Sequence, residues 1–266
     1  MFTTNPFSIL AETVPPIALQ SFVIVMVALV IIGTLVDIIH KKNVKYFFEN
    51  AKKAKLSATK TLSAGEKISV ISKTIVSDIA TTSELGAGKR RVAHLLGMYG
   101  TILFWTGSVI MIFCYSSPSS DTPSYWPIIW HVGAIMTVVG GSWFWFFLRV
   151  DVYSEAHPWY RIIKADLFVL ALIASSLFGL IWSCLQSLNL NDRWDDKAFL
   201  VLYIISNLAL FGGVYWSKFA HMFYKPGASI QKNLAEADGS RDNLPPPADA
   251  PEQYGLGIDR EKAKHY

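Results

Sequence analysis

Ile17–Ile39 reads IALQSFVIVMVALVIIGTLVDII, an unbroken apolar run whose one charge lies close to its end. Wound as an α-helix at 1.5 Å per residue, a run of this kind covers the roughly 30 Å hydrocarbon core of a bilayer, which takes about 20 residues. Soluble cores rarely need apolar stretches so long. Moving outward along the chain, four more runs have the same character: Val92–Cys114, Trp126–Leu148, Asp166–Leu188 and Ala198–Ser217. Charges within them are few and marginal, as the cost of a charge at the bilayer centre requires. A chain of 266 residues that is 52% hydrophobic and 17% charged could be soluble if its apolar residues were dispersed, but here they are gathered into blocks. The expectation is an all-α fold, a polytopic transmembrane bundle of five helices. The first run is longer than the core of a signal peptide, and no basic residue precedes it in Met1–Gln20, so it reads as a retained helix.

Basic residues predict the orientation, because Lys and Arg accumulate on the cytoplasmic side of a membrane. Lys41–Arg91 holds twelve of them, Arg149–Lys164 three and the end from Lys218 onward seven, against Arg193 and Lys197 alone in the opposite loops. This predicts the N-terminus outside and the C-terminus inside, in the inner (cytoplasmic) membrane of a cell. The net charge of +4 then reflects topology and lipid attraction, with no nucleic-acid partner implied. Four segments follow: residues 1–40 with the first helix, a basic cytoplasmic loop over 41–91, a four-helix core over 92–225 and a proline-rich cytoplasmic tail over 226–266. In the loop, Ile68, Ile71, Ile75 and Ile79 recur at helical spacing with Lys67, Lys73 and Asp78 off that face, which predicts an amphipathic helix lying on the membrane or a partner. The tail, with its Leu244-Pro-Pro-Pro-Ala run, reads as unable to build a core: disordered, or laid along another subunit.

Chemistry is limited to a few residue types. Cys114 and Cys184 form no CxxC and no Cys/His pattern, so the chain cannot hold an iron–sulfur cluster by itself. Among its histidines, His94 opens the second run just after Gly88-Lys-Arg-Arg, and His221 closes the fifth. In the predicted topology both lie at the cytoplasmic ends of antiparallel helices. Two histidines at equal depth can ligate one haem iron from opposite faces where small residues leave room for the macrocycle. Gly97 and Thr101 follow on the face of His94; Ser217, Gly213 and, deeper, Ser206 or Asn207 share a face with His221. Lys89, Arg90, Arg91 and Lys218 are placed to meet haem propionates or, with Tyr99, a quinone. The outer side near His131 and Asp121 is the alternative place for the quinone. An interfacial histidine is also commonly only a polar side chain at the membrane surface, and that reading stays open for each. Trp126, Trp130, Trp143 and Trp145 fit aromatic belts, and Gly140-Gly141 and Gly212-Gly213 fit close helix packing.

The runs Lys89-Arg-Arg-Val-Ala-His-Leu-Leu-Gly-Met-Tyr-Gly, Asp166-Leu-Phe-Val-Leu-Ala-Leu-Ile and Ser217-Lys-Phe-Ala-His-Met-Phe-Tyr-Lys-Pro resemble a family of five-helix membrane cytochromes b. That family includes the gamma subunit of respiratory nitrate reductase and the membrane subunits of heterodisulfide reductase, of the dissimilatory sulfite reductase complex and of the quinone-interacting oxidoreductase linked to adenylylsulfate reductase. The tail is most similar to that of the last group. The resemblance covers about Gly88 to Pro226. It implies a haem b held by His94 and His221, exchange of electrons with membrane quinone, and a cytoplasmic iron–sulfur oxidoreductase of sulfur metabolism as partner. The nitrate reductase subunits carry a further histidine deeper on each of these helices for a second haem, and this sequence has Phe104 and Tyr203 there. Two rival readings remain: a haem-free anchor or assembly subunit that recruits a soluble enzyme, and a small transporter.

Overall fold

The computed structural model describes residues 2–86, 88–149, 152, 155–188, 193–240, 253–254 and 258–259. Among these the chain is helical, apart from a two-residue antiparallel pairing of Gln253–Tyr254 with Ile258–Asp259. Nine α-helices are described: α1 Pro6–Leu10, α2 Pro16–Lys41, α3 Asn43–Leu56, α4 Ala64–Thr74, α5 Lys89–Cys114, α6 Tyr125–Trp143, α7 Leu167–Ser187, α8 Trp194–Gly212 and α9 His221–Ala237. Four helical segments are long and apolar enough to cross a membrane: Pro16–Lys41, Lys89–Cys114, Tyr125–Leu148 and Lys164–Ser187. They point to a membrane protein.

The fifth run departs from the expectation. Its helix, α8, carries Asp195, Asp196 and Lys197 in the first turn and stops at Gly212, not Ser217. The uncharged part spans 198–212, which at 1.5 Å per residue reaches only about 22 Å. Gly213 explains the stop. Its N–H still bonds the Ala209 carbonyl at 3.0 Å, but its own carbonyl receives the N–H groups of Trp216 and Ser217, turning the chain. A Cβ at Gly213 would stand 2.5 Å from the Ala209 oxygen and 3.0 Å from the Leu167 side chain, so a larger residue would have to shift the turn.

The chain divides into two compact units, Met1–His40 with Val92–Ala220, and Lys41–Arg91 with His221–Tyr266. In the first, α5 and α6 pack backbone against backbone. A Cβ on Gly100 would lie 2.6 Å from the Thr137 nitrogen and 2.8 Å from the Gly133 oxygen; one on Gly133, 2.5 Å from the Phe104 nitrogen; one on Gly140, 2.6 Å from the Gly97 nitrogen. Small residues every seven positions thus let two antiparallel helices touch, the packing that serves best where lipid gives no hydrophobic drive for association. Across the next pair the Ser175 hydroxyl donates to Oδ1 of the Asn207 side chain at 3.1 Å, while the Asn207 Nδ2 donates to the Tyr203 carbonyl at 2.8 Å. Helix α2 is more peripheral, with only Met26 and Asp37 buried and Gly33 against Val214.

One end of this unit is plugged by α1. Asn5 caps that helix by accepting from the Phe7 and Ser8 N–H groups, and its amide donates to the Tyr115 carbonyl and the Thr122 hydroxyl. The cap therefore sets Phe7 edge-on to Trp130, 5.9 Å between ring centres, and 5.7 Å from Trp182. The core behind Phe7 is aromatic: Phe104, Trp130, Trp182 and Tyr203 are all buried.

The second unit is built on α3, α4 and α9. A capping box starts α4, with the Ser63 N–H donating to Glu66 at 2.8 Å and the Glu66 N–H to the Ser63 hydroxyl at 3.3 Å. After Thr74 the helix widens to a π turn, Ile75–Ala80, and a 3₁₀ turn follows at Ser83–Leu85. The isoleucine stripe is only partly covered: Ile71 and Ile79 are half-buried, whereas Ile68 and Ile75 are exposed. The covering element is α9, so most of the described tail before Gly239 is helix and not extended chain. Pro226 falls inside α9, where its missing N–H forgoes one helical bond without ending the helix. What holds the unit is largely polar. Asn233 donates to the Thr74 hydroxyl at 2.9 Å and to Asp78 at 2.7 Å, and the Ser229 hydroxyl donates to Glu84 at 2.8 Å. The Leu244-Pro-Pro-Pro-Ala run and His265 lie outside the described residues.

Candidate functional site

His94 is the sixth residue of α5, belongs to the first unit and is exposed. One turn on, a Cβ at Gly97 would meet nothing within 4 Å, so the helix surface beside His94 is open. Thr101, the next residue on that face, is buried and donates back to the Gly97 carbonyl at 2.7 Å. A planar macrocycle needs this kind of relief next to an axial ligand, and on the α5 side the residues present fit one.

His221 sits differently from the sequence expectation. It is not the close of the fifth apolar helix but the first residue of α9, in the second unit. The turn at Gly213–Ser217 and the 3₁₀ turn Lys218–Ala220 stand between α8 and α9. Ser217, Gly213, Ser206 and Asn207 are therefore not one continuous helical face below His221. His221 and Lys218 are exposed, and buried Ser217 accepts from the Phe219 N–H at 3.2 Å. Among the described residues no group of three or more His, Cys, Asp or Glu side chains gathers as a metal site, while a bis-histidine haem asks for only two ligands.

The cations assigned to the same level occupy the first turn of α5. Lys89 is exposed, and Arg90 and Arg91 are half-buried, with the Arg91 Nε donating to the Thr81 carbonyl at 2.7 Å. Three cations at a helix N-terminus oppose the helix dipole, by about 0.3–1 kcal/mol each, unless an anion lies there. Tyr99 is 40% exposed, off the packed side of α5.

Phe104 and Tyr203 are 1% and 8% exposed, 6.4 Å apart and nearly perpendicular. Trp182 stacks on Tyr203 at 5.9 Å, and Phe104 lies 5.1 Å from Trp130. The depth at which relatives of the resembled family place further ligands is filled here by packed rings.

His131 is completely buried. Its Nδ1 lies 2.7 Å from the Pro127 carbonyl and its Nε2 2.8 Å from the Ser183 hydroxyl. A carbonyl can only accept, so Nδ1 carries the proton and Nε2 receives the serine O–H. The Nδ1 bond closes back within α6 and the Nε2 bond links α6 to α7, so both nitrogens are occupied, with Phe2 and Trp130 edge-on to the ring. Asp121, its sequence-predicted companion, is exposed.

Several side chains carry more structure than their sequence suggested. Trp130 and Trp145 are core residues and not belt residues: the Trp130 indole donates to Ser108 at 2.8 Å, and Trp145 lies under the Arg149 guanidinium at 4.2 Å. Arg149 in turn bonds Asp166 at 2.9 Å, with both side chains at most 10% exposed. The sequence does carry one signal for this pair, opposite charges at the two ends of the loop between two apolar runs. His40 lies edge-on to Tyr215 at 5.8 Å, and His157 pairs with Glu155 at 3.4 Å on the surface. Cys114 and Cys184 are free thiols. No family model, no curated protein and no solved structure matches the chain.

Proposed function

We propose that the chain is a membrane haem b subunit that passes electrons between a cytoplasmic iron–sulfur oxidoreductase, of sulfur metabolism such as adenylylsulfate reductase, and membrane quinone. In this reading it crosses the inner membrane five times, N-terminus out and C-terminus in, with α8 as the short fifth crossing. The observation that carries it is the pair of motifs around His94 and His221, each an imidazole beside cations, with open helix surface at Gly97 next to the first. A haem b, when bound, supplies one-electron redox chemistry. The chain's residues would supply the rest: His94 and His221 would hold the haem iron, Lys89, Arg90, Arg91 and Lys218 would offset the propionate charges, and Tyr99 would neighbour a quinone. The cations that oppose the α5 dipole are then balanced by the anions they meet. The aromatic block at Phe104 and Tyr203 confines redox chemistry to the His94 end of the bundle.

The test is a reduced-minus-oxidised spectrum of the purified chain, repeated for His94→Ala and His221→Ala. Absorption of b type in the wild type, lost in each variant, is the expected result. A wild type without such absorption refutes the haem, and leaves an anchor that recruits a soluble enzyme. Absorption unchanged in both variants refutes the ligands alone.

A further inference from the structure

Only Lys42 separates α2, a helix apolar enough to span a bilayer, from α3. Its φ of 53° ends the first helix and starts the second, so α3, 14 residues and about 21 Å long, is tethered at the end of the span. Val44, Phe47, Ala51 and Ala54 form the half-buried side of α3. The adjoining side repeats at 3-4-3 spacing as Lys45, Phe48, Lys52 and Lys55, all exposed, with Leu56 beside Lys52. Phe48 is 65% exposed and Leu56 84%, an uncommon state for apolar side chains set among lysines in water. Over Lys41–Leu56 there are six lysines and one acid, Glu49, which pairs with Lys45 at 3.7 Å.

We infer that this face of α3 is a binding surface for anionic phospholipid headgroups of the membrane that α2 enters. The charge selects the ligand: lysines meet the phosphates, while Phe48 and Leu56 enter the acyl boundary, which is how a basic amphipathic helix holds a bilayer surface. Position favours lipid over a soluble acidic protein, because the tether keeps the face within one short helix of the headgroup layer whatever else binds. The inference rests on α2 crossing the membrane and is independent of the haem.

The experiment uses the full chain with Cys114→Ser and Cys184→Ser, carrying an environment-sensitive fluorophore at Phe48→Cys, in nanodiscs of phosphatidylcholine with or without one-third phosphatidylglycerol. A nitroxide on the lipid headgroup is expected to quench the label about twofold more in the anionic discs, an excess that the Lys45→Gln, Lys52→Gln, Lys55→Gln variant removes. Equal quenching in both lipids overturns the inference, as does an excess that survives the triple substitution. A label shielded from aqueous quencher in both lipids assigns the face to a protein contact and also overturns it. A second label at Val27→Cys, read with a nitroxide deep in the acyl chain, tests the span separately: failure there is failure of the membrane reading and not of α3 alone.

Discussion

Asp166 accepts a hydrogen bond from the Arg149 guanidinium at 2.9 Å, and the same carboxylate oxygen accepts the Ile163 N–H at 3.0 Å. Arg149 also donates to the Arg161 carbonyl and covers the Trp145 ring. One buried ion pair therefore closes the loop between the Phe144–Leu148 π turn and α7. Removing one partner leaves the other charge buried, which costs more than the pair itself contributes. Arg149→Ala or Asp166→Asn should each destabilise the first unit by about 3 kcal/mol or more, whereas an apolar replacement of both should recover most of that. Thermal unfolding midpoints of the detergent-purified protein decide it: a double variant no better than either single would sink the argument.

The glycines of α5 and α6 make a sharper contrast, since the same substitution is predicted to have opposite outcomes at Gly133 of α6 and Gly97 of α5. Gly133→Ala places a methyl 2.5 Å from the Phe104 nitrogen and must part the two backbones. Overpacking of this kind costs about 1–3 kcal/mol. Gly97→Ala meets only open space inside a helix and should raise stability by about 0.4–1 kcal/mol. In the haem reading it should also disturb the b-type spectrum, so stability and spectrum report on different neighbours of α5.

His131→Leu tests whether the outer histidine is structural. It leaves the Ser183 hydroxyl without its acceptor, a loss of about 1–2 kcal/mol. The haem spectrum should not shift, because both imidazole nitrogens already serve α6 and α7. A changed spectrum with unchanged stability would return His131 to the redox site.

The apolar runs were legible in the sequence because their length and composition are independent of what they pack against. The end of α8 was not, since a Gly-Gly pair reads equally as helix packing or as a stop, and only the Ala209 and Leu167 contacts at Gly213 decide it. The place of His221 went with it. Trp130 and Trp145 look like belt residues because position along a helix gives depth but not the side that is buried. The helical start of the tail, up to Ala237, was not legible for a related reason: α9 is weakly apolar, and it meets the end of α4 through Asn233 and the Ser83–Leu85 turn through Ser229, residue types that carry no hydrophobic period. His94 was legible as a candidate ligand with its cations and Gly97, while the loop clasp of Arg149 and Asp166 lay hidden as two marginal charges.

That polar seam gives the second unit a pH dependence. Asp78 accepts from Ser83 at 2.6 Å, Ser77 at 2.8 Å and Asn233 at 2.7 Å, and lies near Lys232. The Ser83 hydrogen bond above all, against a desolvation cost and aided by Asn233, Ser77 and Lys232, holds its carboxyl below the usual range. A carboxylate whose folded pKa is depressed stabilises the fold above its unfolded value, near 4, and loses that contribution as pH falls through the folded value. The contacts between Ile75–Ala80 and α9 should thus be constant from neutral pH to about 5 and weaken below about 4. Hydrogen exchange of amides 77–85, corrected for intrinsic rate, should show protection falling over that acid window in the wild type. Asp78→Asn keeps the shape but not the charge, so it should be less protected at neutral pH and nearly flat in acid. Equal protection of the two at pH 7 would mean that Glu84, with Lys225 and Lys232 at 3.7 and 3.9 Å, holds the seam instead.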